Sequence, residues 1–309
     1  MESILNVVVP VFGLVLTGYI AGKIGLLGKA SSEALNGFVF YFSLPVLLFF
    51  AMAKIDASSV VNVPFITAYL GGQIVTLSLG ILVARRIFGI SAVKAATHGT
   101  AGIYGNVGYM GIPLALTAFG ETALPPVIIA TIINAALNIA VLTAVIEGQR
   151  HGQHDDFNYL RVLGSVLKSP ILAAPILGFC CALIELPMPT SFETYGSILG
   201  SAAGPCALFS IGLSLVGLPV SEGRSEITSM VILKLVIHPV ATWCFAIWLL
   251  SDQPQLFTIC VLMAALPTGA NLYVLAQKYQ VYVARTSSGI LASTVLSLGT
   301  LSAFFYWFA

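Results

Sequence analysis

Charge is scarce in this chain, and the scarcity decides its surroundings. Lys, Arg, Asp and Glu make up 8% of the 309 residues, while 58% are hydrophobic and the mean hydropathy is +0.98. A soluble domain carries about 25% charged residues. So little polar surface cannot solvate a globule of this length, so the bulk of the chain belongs in lipid. Cysteine is also sparse. Cys180, Cys181, Cys206, Cys244 and Cys260 all lie in apolar runs, without a Cys-x-x-Cys or zinc-type spacing. They read as small packing residues, and no disulfide is expected. No basic patch offers a surface to nucleic acid. No His-x-x-x-His, Gly-x-Ser-x-Gly or pair of carboxylates occurs within an apolar run, which argues against an enzyme. No metal or cofactor is expected.

Apolar runs of about 20 residues are long enough to cross a bilayer as helices. Ten are present, at roughly 4–22, 34–53, 62–84, 95–118, 124–146, 169–186, 195–217, 227–250, 255–277 and 284–308. Met1-Glu2-Ser3 lacks the positive start of a secretory signal, so the first run is expected to stay as the first span. With the N-terminus outside and ten crossings, twelve of the thirteen basic residues fall at the cytoplasmic side, Lys234 among them, and only Lys54 falls outside. That bias sets the orientation and puts both termini on the outer side. The polar stretch 148–168, with His151, His154, Asp155 and Asp156, reads as a solvated cytoplasmic linker between a first unit at 1–147 and a second at 169–309.

The two halves share a spacing. Pro10 and Gly18 recur as Pro170 and Gly178, and Pro45, Leu48 and Phe49 recur as Pro205, Leu208 and Phe209, all shifted by 160. The same shift lays Gly105–Pro113 over Ala265–Tyr273, two places where Gly, Pro and Asn interrupt an apolar run. Five spans per half is an odd number, so the second half enters the membrane inverted. The expected fold is all-α and integral to the membrane: ten transmembrane helices as two inverted five-helix repeats, with helices 4 and 9 broken. Such a pair of breaks is the sequence pattern of a secondary transporter.

Gly105, Gly108, Gly111 and Pro113 weaken helix in the fourth span, and Pro267 and Gly269 do so in the ninth. Unwound backbone cannot face lipid and must be buried in protein or line a watered cavity. Half-helix N-termini there would present free N–H groups to an anion. Asn106, Thr268 and Asn271 add neutral donors. Tyr104, Tyr109 and Tyr273 flank the breaks, where lining and packing are equally open readings. Asn134 and Asn138, four apart, fit helix–helix bonding as well as substrate contact. His98 and His238 read as packed neutral side chains before proton carriers. No Asp, Glu, Lys or Arg reads as lying mid-span, which favours an organic anion held by dipoles and amides and leaves its own charge to cross the field.

Gly-Asn-x-x-x-Met-Gly-Ile-Pro-Leu at Gly105–Leu114 resembles the fourth-span motif of the auxin efflux carrier family. Ala265-Leu266-Pro267 with Val274–Tyr279, Asn36 with Leu44-Pro45, and Gly204-Pro205 with Leu208–Gly212 resemble it too. The resemblance spans essentially the whole chain. It implies a fold like that of bile-acid sodium symporters, with helices 1, 2, 6 and 7 as a scaffold able to form a homodimer. Helices 3–5 and 8–10 would form a transport core in which helices 4 and 9 cross. It implies that Asn106 holds a substrate carboxylate, that Pro113 and Pro267 mark the crossover, and that Asn134 faces substrate. Ser169 stands where many members carry Asn before the proline that is Pro170 here. The short join is similar to bacterial members, which are described as malonate, malate or other carboxylate transporters of the inner membrane; plant relatives export an auxin.

The expected function is transport of a small organic carboxylate, malonate-, malate- or auxin-like, by elevator-type alternating access. An organic-anion channel on the same scaffold is the alternative. The topology is directly testable. In a cysteine-free variant, single cysteines at Asp156 and Gly223 should label only from the cytoplasm, and those at Asp56, Glu121 and Asp252 only from outside. Labelling of positions 156 and 252 from one side would break the ten-span count.

Overall fold

The computed structural model describes residues 4–55, 62–150, 169–217 and 223–308; for residues 4–5, 138–140, 142–150 and 278 it describes the backbone alone. The linker residues His151, His154, Asp155 and Asp156, and the side chain of Asn138, lie outside the described part. Within it, the apolar runs of the sequence are helical, the fourth and ninth in two pieces each. Six helices are long and apolar enough to cross a membrane: α1 (Asn6–Lys23), α2 (Lys29–Ala53), α3 (Val63–Arg86), Thr190–Leu215, Arg224–Leu249 and Val283–Phe308. The fourth run is split into α4 (Ala92–Ile103) and α5 (Val107–Phe119). Next come α6 (Leu124–Arg150), α7 (Pro170–Leu183), α8 (Thr190–Leu215) and α9 (Arg224–Leu249). The ninth run is split as well, into α10 (Pro254–Ala265) and α11 (Asn271–Tyr279), and α12 (Val283–Phe308) follows. Helix α6 continues three residues past 147, so the start of the expected linker at 148 is still helical.

Prolines inside these helices have a recurring partner. A π-type turn occupies Ile4–Val8 before Pro10, Val39–Ser43 before Pro45, Val107–Gly111 before Pro113, and Leu233–Ile237 before Pro239. Proline removes one helical hydrogen bond and its ring collides with the preceding turn. A wider turn just upstream makes room for the ring, and π adjustments are one way membrane helices re-satisfy the backbone.

The chain resolves into two compact units. The first comprises Met1–Asn62, Gly108–Ile129 and Gly164–Gly217. Within it α1 lies against α8 and α2 against α7, and glycine sets each approach. A methyl on Gly18 would sit 2.0 Å from the Phe209 carbonyl oxygen, and one on Gly178 would sit 2.2 Å from the Phe49 carbonyl oxygen. Shifting Gly18 and Phe49 by 160 gives Gly178 and Phe209, so either contact turns into the other when the halves are exchanged. Gly212 approaches the Val15 carbonyl in the same way. Ser210 donates to Asn36 Oδ1 at 2.9 Å and the Tyr109 hydroxyl donates to the Asn36 carbonyl at 3.4 Å, which gives these three residues partners within the unit.

The second unit comprises Val63–Val107, Ala130–Leu163 and Leu218–Ala309. Here α3 packs on α9 through Gly72 at Thr242, and on α4 through Gly80 at Gly99. Near the start of α9, Glu226 accepts from Tyr282 at 2.6 Å and from Arg285 Nε at 2.9 Å, tying α9 to α12. Burial and the adjacent Glu226 carboxylate push the Tyr282 hydroxyl up from its ordinary value. Outward faces are apolar, as Ile232, Val236, Val240 and Ile247 on α9 illustrate, and Trp248 and Trp307 are 85% and 79% exposed at the ends of α9 and α12. Exposed apolar faces with terminal aromatics are what a bilayer solvates. All five cysteines are free.

Gly18→Ala and Gly178→Ala should each lower the melting temperature of purified protein, since overpacking typically costs about 1–3 kcal/mol. Gly13→Ala on the same face-bearing helix, with nothing within 4 Å of the added methyl, should leave it unchanged or raise it.

Candidate functional site

Helix α4 ends at Ile103 because Gly105 and its neighbours leave the helical conformation: Tyr104 turns to φ −74°, ψ 83°. Helix α10 ends at Ala265, where Leu266 is already extended ahead of Pro267, the conformation favoured by a residue before proline. The two unwound segments then pair with each other. Asn106 N–H donates to the Pro267 carbonyl at 2.8 Å, and Gly269 N–H donates to the Tyr104 carbonyl at 2.8 Å. Gly105 and Thr268 face one another as a single antiparallel bridge.

Side chains brace this bridge from several helices. Thr268 N–H donates to Ser293 Oγ of α12 at 3.1 Å, and its hydroxyl donates to the Ala101 carbonyl of α4 at 3.0 Å. Asn134 of α6 donates to the Gly105 carbonyl at 2.9 Å and accepts from Gln73 of α3 at 3.3 Å. Gly269 is glycine because a methyl there would lie 3.0 Å from the Tyr104 ring. Asn106 is buried, 8% exposed, and directly precedes the first residue of α5. Asn271 opens α11, is exposed and lies within reach of the Tyr104 hydroxyl.

The structure thus brings together Tyr104, Gly105, Asn106, Asn134, Pro267, Thr268 and Gly269. Gly108, Gly111 and Pro113 instead lie inside α5, with Pro113 accommodated by the π-type turn. Tyr273, in the first turn of α11, accepts from Gln277 at 3.1 Å. Ser169 belongs to the first unit and caps α7, its carbonyl accepting from the N–H groups of Leu172 at 3.0 Å and Ala173 at 2.9 Å. Its hydroxyl makes no capping bond.

The expectation of a charge-free span interior is corrected. Lys234 is the eleventh residue of the 26-residue α9 and is fully buried. It lies ten residues inside α9 and not at a helix end, so it drops out of the expected cytoplasmic count, which becomes eleven of twelve. Its ammonium donates to the Ala264 carbonyl, the last turn of α10, and lies 3.0 Å from Nδ1 of His238, which is also fully buried. The signal was present: Lys234 is flanked by Val231-Ile232-Leu233 and Leu235-Val236-Ile237, so no helix end lies near it. Gln73 and Ser293 were also missed, and single Gln or Ser residues in apolar helices carry no spacing that marks them. His98, whose Nε2 is 3.1 Å from Ser229 Oγ, is a packed, bonded side chain.

Paired breaks in apolar helices, bound to each other inside a polar shell, define a multi-pass membrane protein built around a crossover. The sequence profile of the membrane transport protein family matches residues 3–305. The chain belongs to that family, which includes the auxin efflux carriers whose motifs it resembles. It is 30% identical over 307 residues to the "Putative malonate transporter" of Rhizobium meliloti (strain 1021), covering 99% of this chain and 96% of that one. It is 24% identical to the "Uncharacterized transporter YfdV" of Escherichia coli (strain K12), covering 93% and 91%. Auxin efflux carrier component 5 of Arabidopsis thaliana is 23% identical, with 98% and 96% covered. These relatives are named as transporters, and none as an enzyme.

Replacing Asn134 with Leu would orphan the buried Gly105 carbonyl and the Gln73 amide, at about 1–3 kcal/mol for each unsatisfied group. The variant should melt several degrees lower. An unchanged melting temperature would mean that Asn134 does not brace the bridge.

Proposed function

We propose that this protein is a secondary transporter that carries a small organic carboxylate across a bacterial inner membrane by elevator-type alternating access. The observation that carries the reading is the antiparallel bridge Gly105↔Thr268. Two helices broken at matching positions of the halves, each restarting beside an Asn, offer N–H groups and a positive dipole end without a buried anion to repel the substrate. The malonate named for the Rhizobium relative and the auxin named for the plant relative are both carboxylates.

Ten transmembrane helices in two inverted repeats, 1–147 and 169–309, give such a carrier two equivalent half-sites. The exchange of Gly18–Phe209 for Gly178–Phe49 supports that symmetry. The scaffold comprises α1, α2, α7 and α8, which share one unit, and serves as the homodimer interface; the core comprises α3–α6 and α9–α12, of which α5 and the start of α6 fall in the first unit. Both termini lie on the outer side. Asn106 and Asn271 contact the carboxylate, Tyr104 and Tyr273 line its approach, and Thr268 and Asn134 hold the frame. A carrier that closes on each side in turn shows trans-stimulation, and a channel does not, so counterflow of labelled substrate in proteoliposomes separates the two.

Asn106→Ala should weaken carboxylate binding by about ten- to a hundredfold, since a hydrogen bond to a charged group is worth roughly 1.5–3 kcal/mol. Asn106→Asp should be worse, because it sets a like charge against the anion. Asn271→Ala should cost less, its side chain being exposed. A folded Asn106→Ala variant with normal affinity would place the substrate elsewhere.

A further inference from the structure

Among the described residues, Lys234 is the one fully buried charge, and the crossover reading leaves it without a task. At 1.5 Å per residue it lies about 15 Å from the start of α9, near the middle of a hydrocarbon core roughly 30 Å thick. An ammonium at that depth is costly and is normally paired. The ion pairs among the described residues are Lys29–Glu33, Lys54–Glu193 and Arg285–Glu226, and none involves Lys234. Its partners are neutral: the Ala264 carbonyl and His238 Nδ1. Beyond His238 stands the Tyr69 ring, at 6.0 Å between centroids. No carboxylate among the described residues faces it.

Its position relates it to the bridge. A methyl on Gly105 would lie 3.6 Å from Cε of Lys234, so the lysine stem runs directly against the crossover backbone. Ala264 is one residue from the end of α10, so the ammonium caps a half-helix C-terminus, where a cation is favoured. That cap satisfies donors without supplying a full negative charge. A neutral side chain could cap as well at a lower cost of burial.

We propose that the Lys234 ammonium is the fixed positive charge that makes the crossover select an anion, its missing counter-charge being the substrate carboxylate itself. The inference rests on the carboxylate reading above and deepens it. Lys234 acts through the field across the Gly105 backbone rather than by contact with substrate, which makes it a specificity-determining residue. His238 holds the ammonium toward the bridge.

The test compares a carboxylate with its isosteric primary amide by calorimetric titration of purified protein. Wild type should prefer the acid by about tenfold or more, the scale of a unit charge acting through several ångströms of protein. Lys234→Met and Lys234→Gln should lose that preference while melting at an equal or higher temperature, because an unpaired buried charge has been removed. A purely structural cap predicts lower melting temperatures with the preference intact, and that result overturns the proposal while leaving carboxylate transport standing. Failure of wild type to bind any carboxylate overturns both. Should neither variant fold, the wild-type comparison decides: equal affinity for acid and amide overturns the proposal, and a tenfold preference sustains it.

Discussion

Backbone groups inside a membrane have no water to bond, and the second unit is organised around that constraint. Breaking two helices frees carbonyls and N–H groups at Tyr104–Asn106 and Pro267–Gly269. The chain answers by pairing the breaks with each other, N–H of Asn106 to Pro267 and N–H of Gly269 to Tyr104. What the pairing leaves over is met by side chains: Asn134 on the Gly105 carbonyl, Thr268 on the Ala101 carbonyl, Lys234 on the Ala264 carbonyl. Five helices therefore contribute to one short stretch of extended backbone. Asn134 and Thr268 are buried where the break leaves carbonyls to satisfy.

Close packing supplies the complementary half of the stability. Lipid tails are as apolar as leucine, so membrane helices gain by approaching closely through small residues. Gly18, Gly178 and Gly212 in the first unit and Gly72 and Gly80 in the second bring backbone against backbone or against a short side chain. The π-type turns before Pro10, Pro45, Pro113 and Pro239 let long helices carry prolines without ending. One of them holds Lys234, so the irregular turn in α9 lies where its charge meets the crossover.

Much of this was legible in the sequence because it rests on composition and on residue types with strong backbone consequences. Low charge and ten apolar runs gave the helices, and clustered Gly, Pro and Asn gave the two breaks. The shift of 160 marked Gly18 with Gly178 and Phe49 with Phe209 as equivalent positions, but nothing in it paired a Gly with a Phe. Pro113 was read as part of the break, but an upstream π-type turn absorbs it, and turn widening leaves no one-letter mark. Lys234 was misread for a different reason: a count of basic residues by side assigns each to its nearer loop. Burial depth within α9, ten residues from Arg224, is what contradicts that assignment.

The claim on which the account turns is that the crossover binds a carboxylate. A thermal-shift series of the purified protein against small mono- and dicarboxylates, their amides and matched cations tests it most directly. Ligand bound to the native state stabilises by RT ln(1 + [L]/Kd), about 2.7 kcal/mol at a hundredfold excess over Kd. The account predicts a saturable rise in melting temperature with at least one carboxylate and none with its cationic counterpart. A rise confined to cations or uncharged solutes would contradict it.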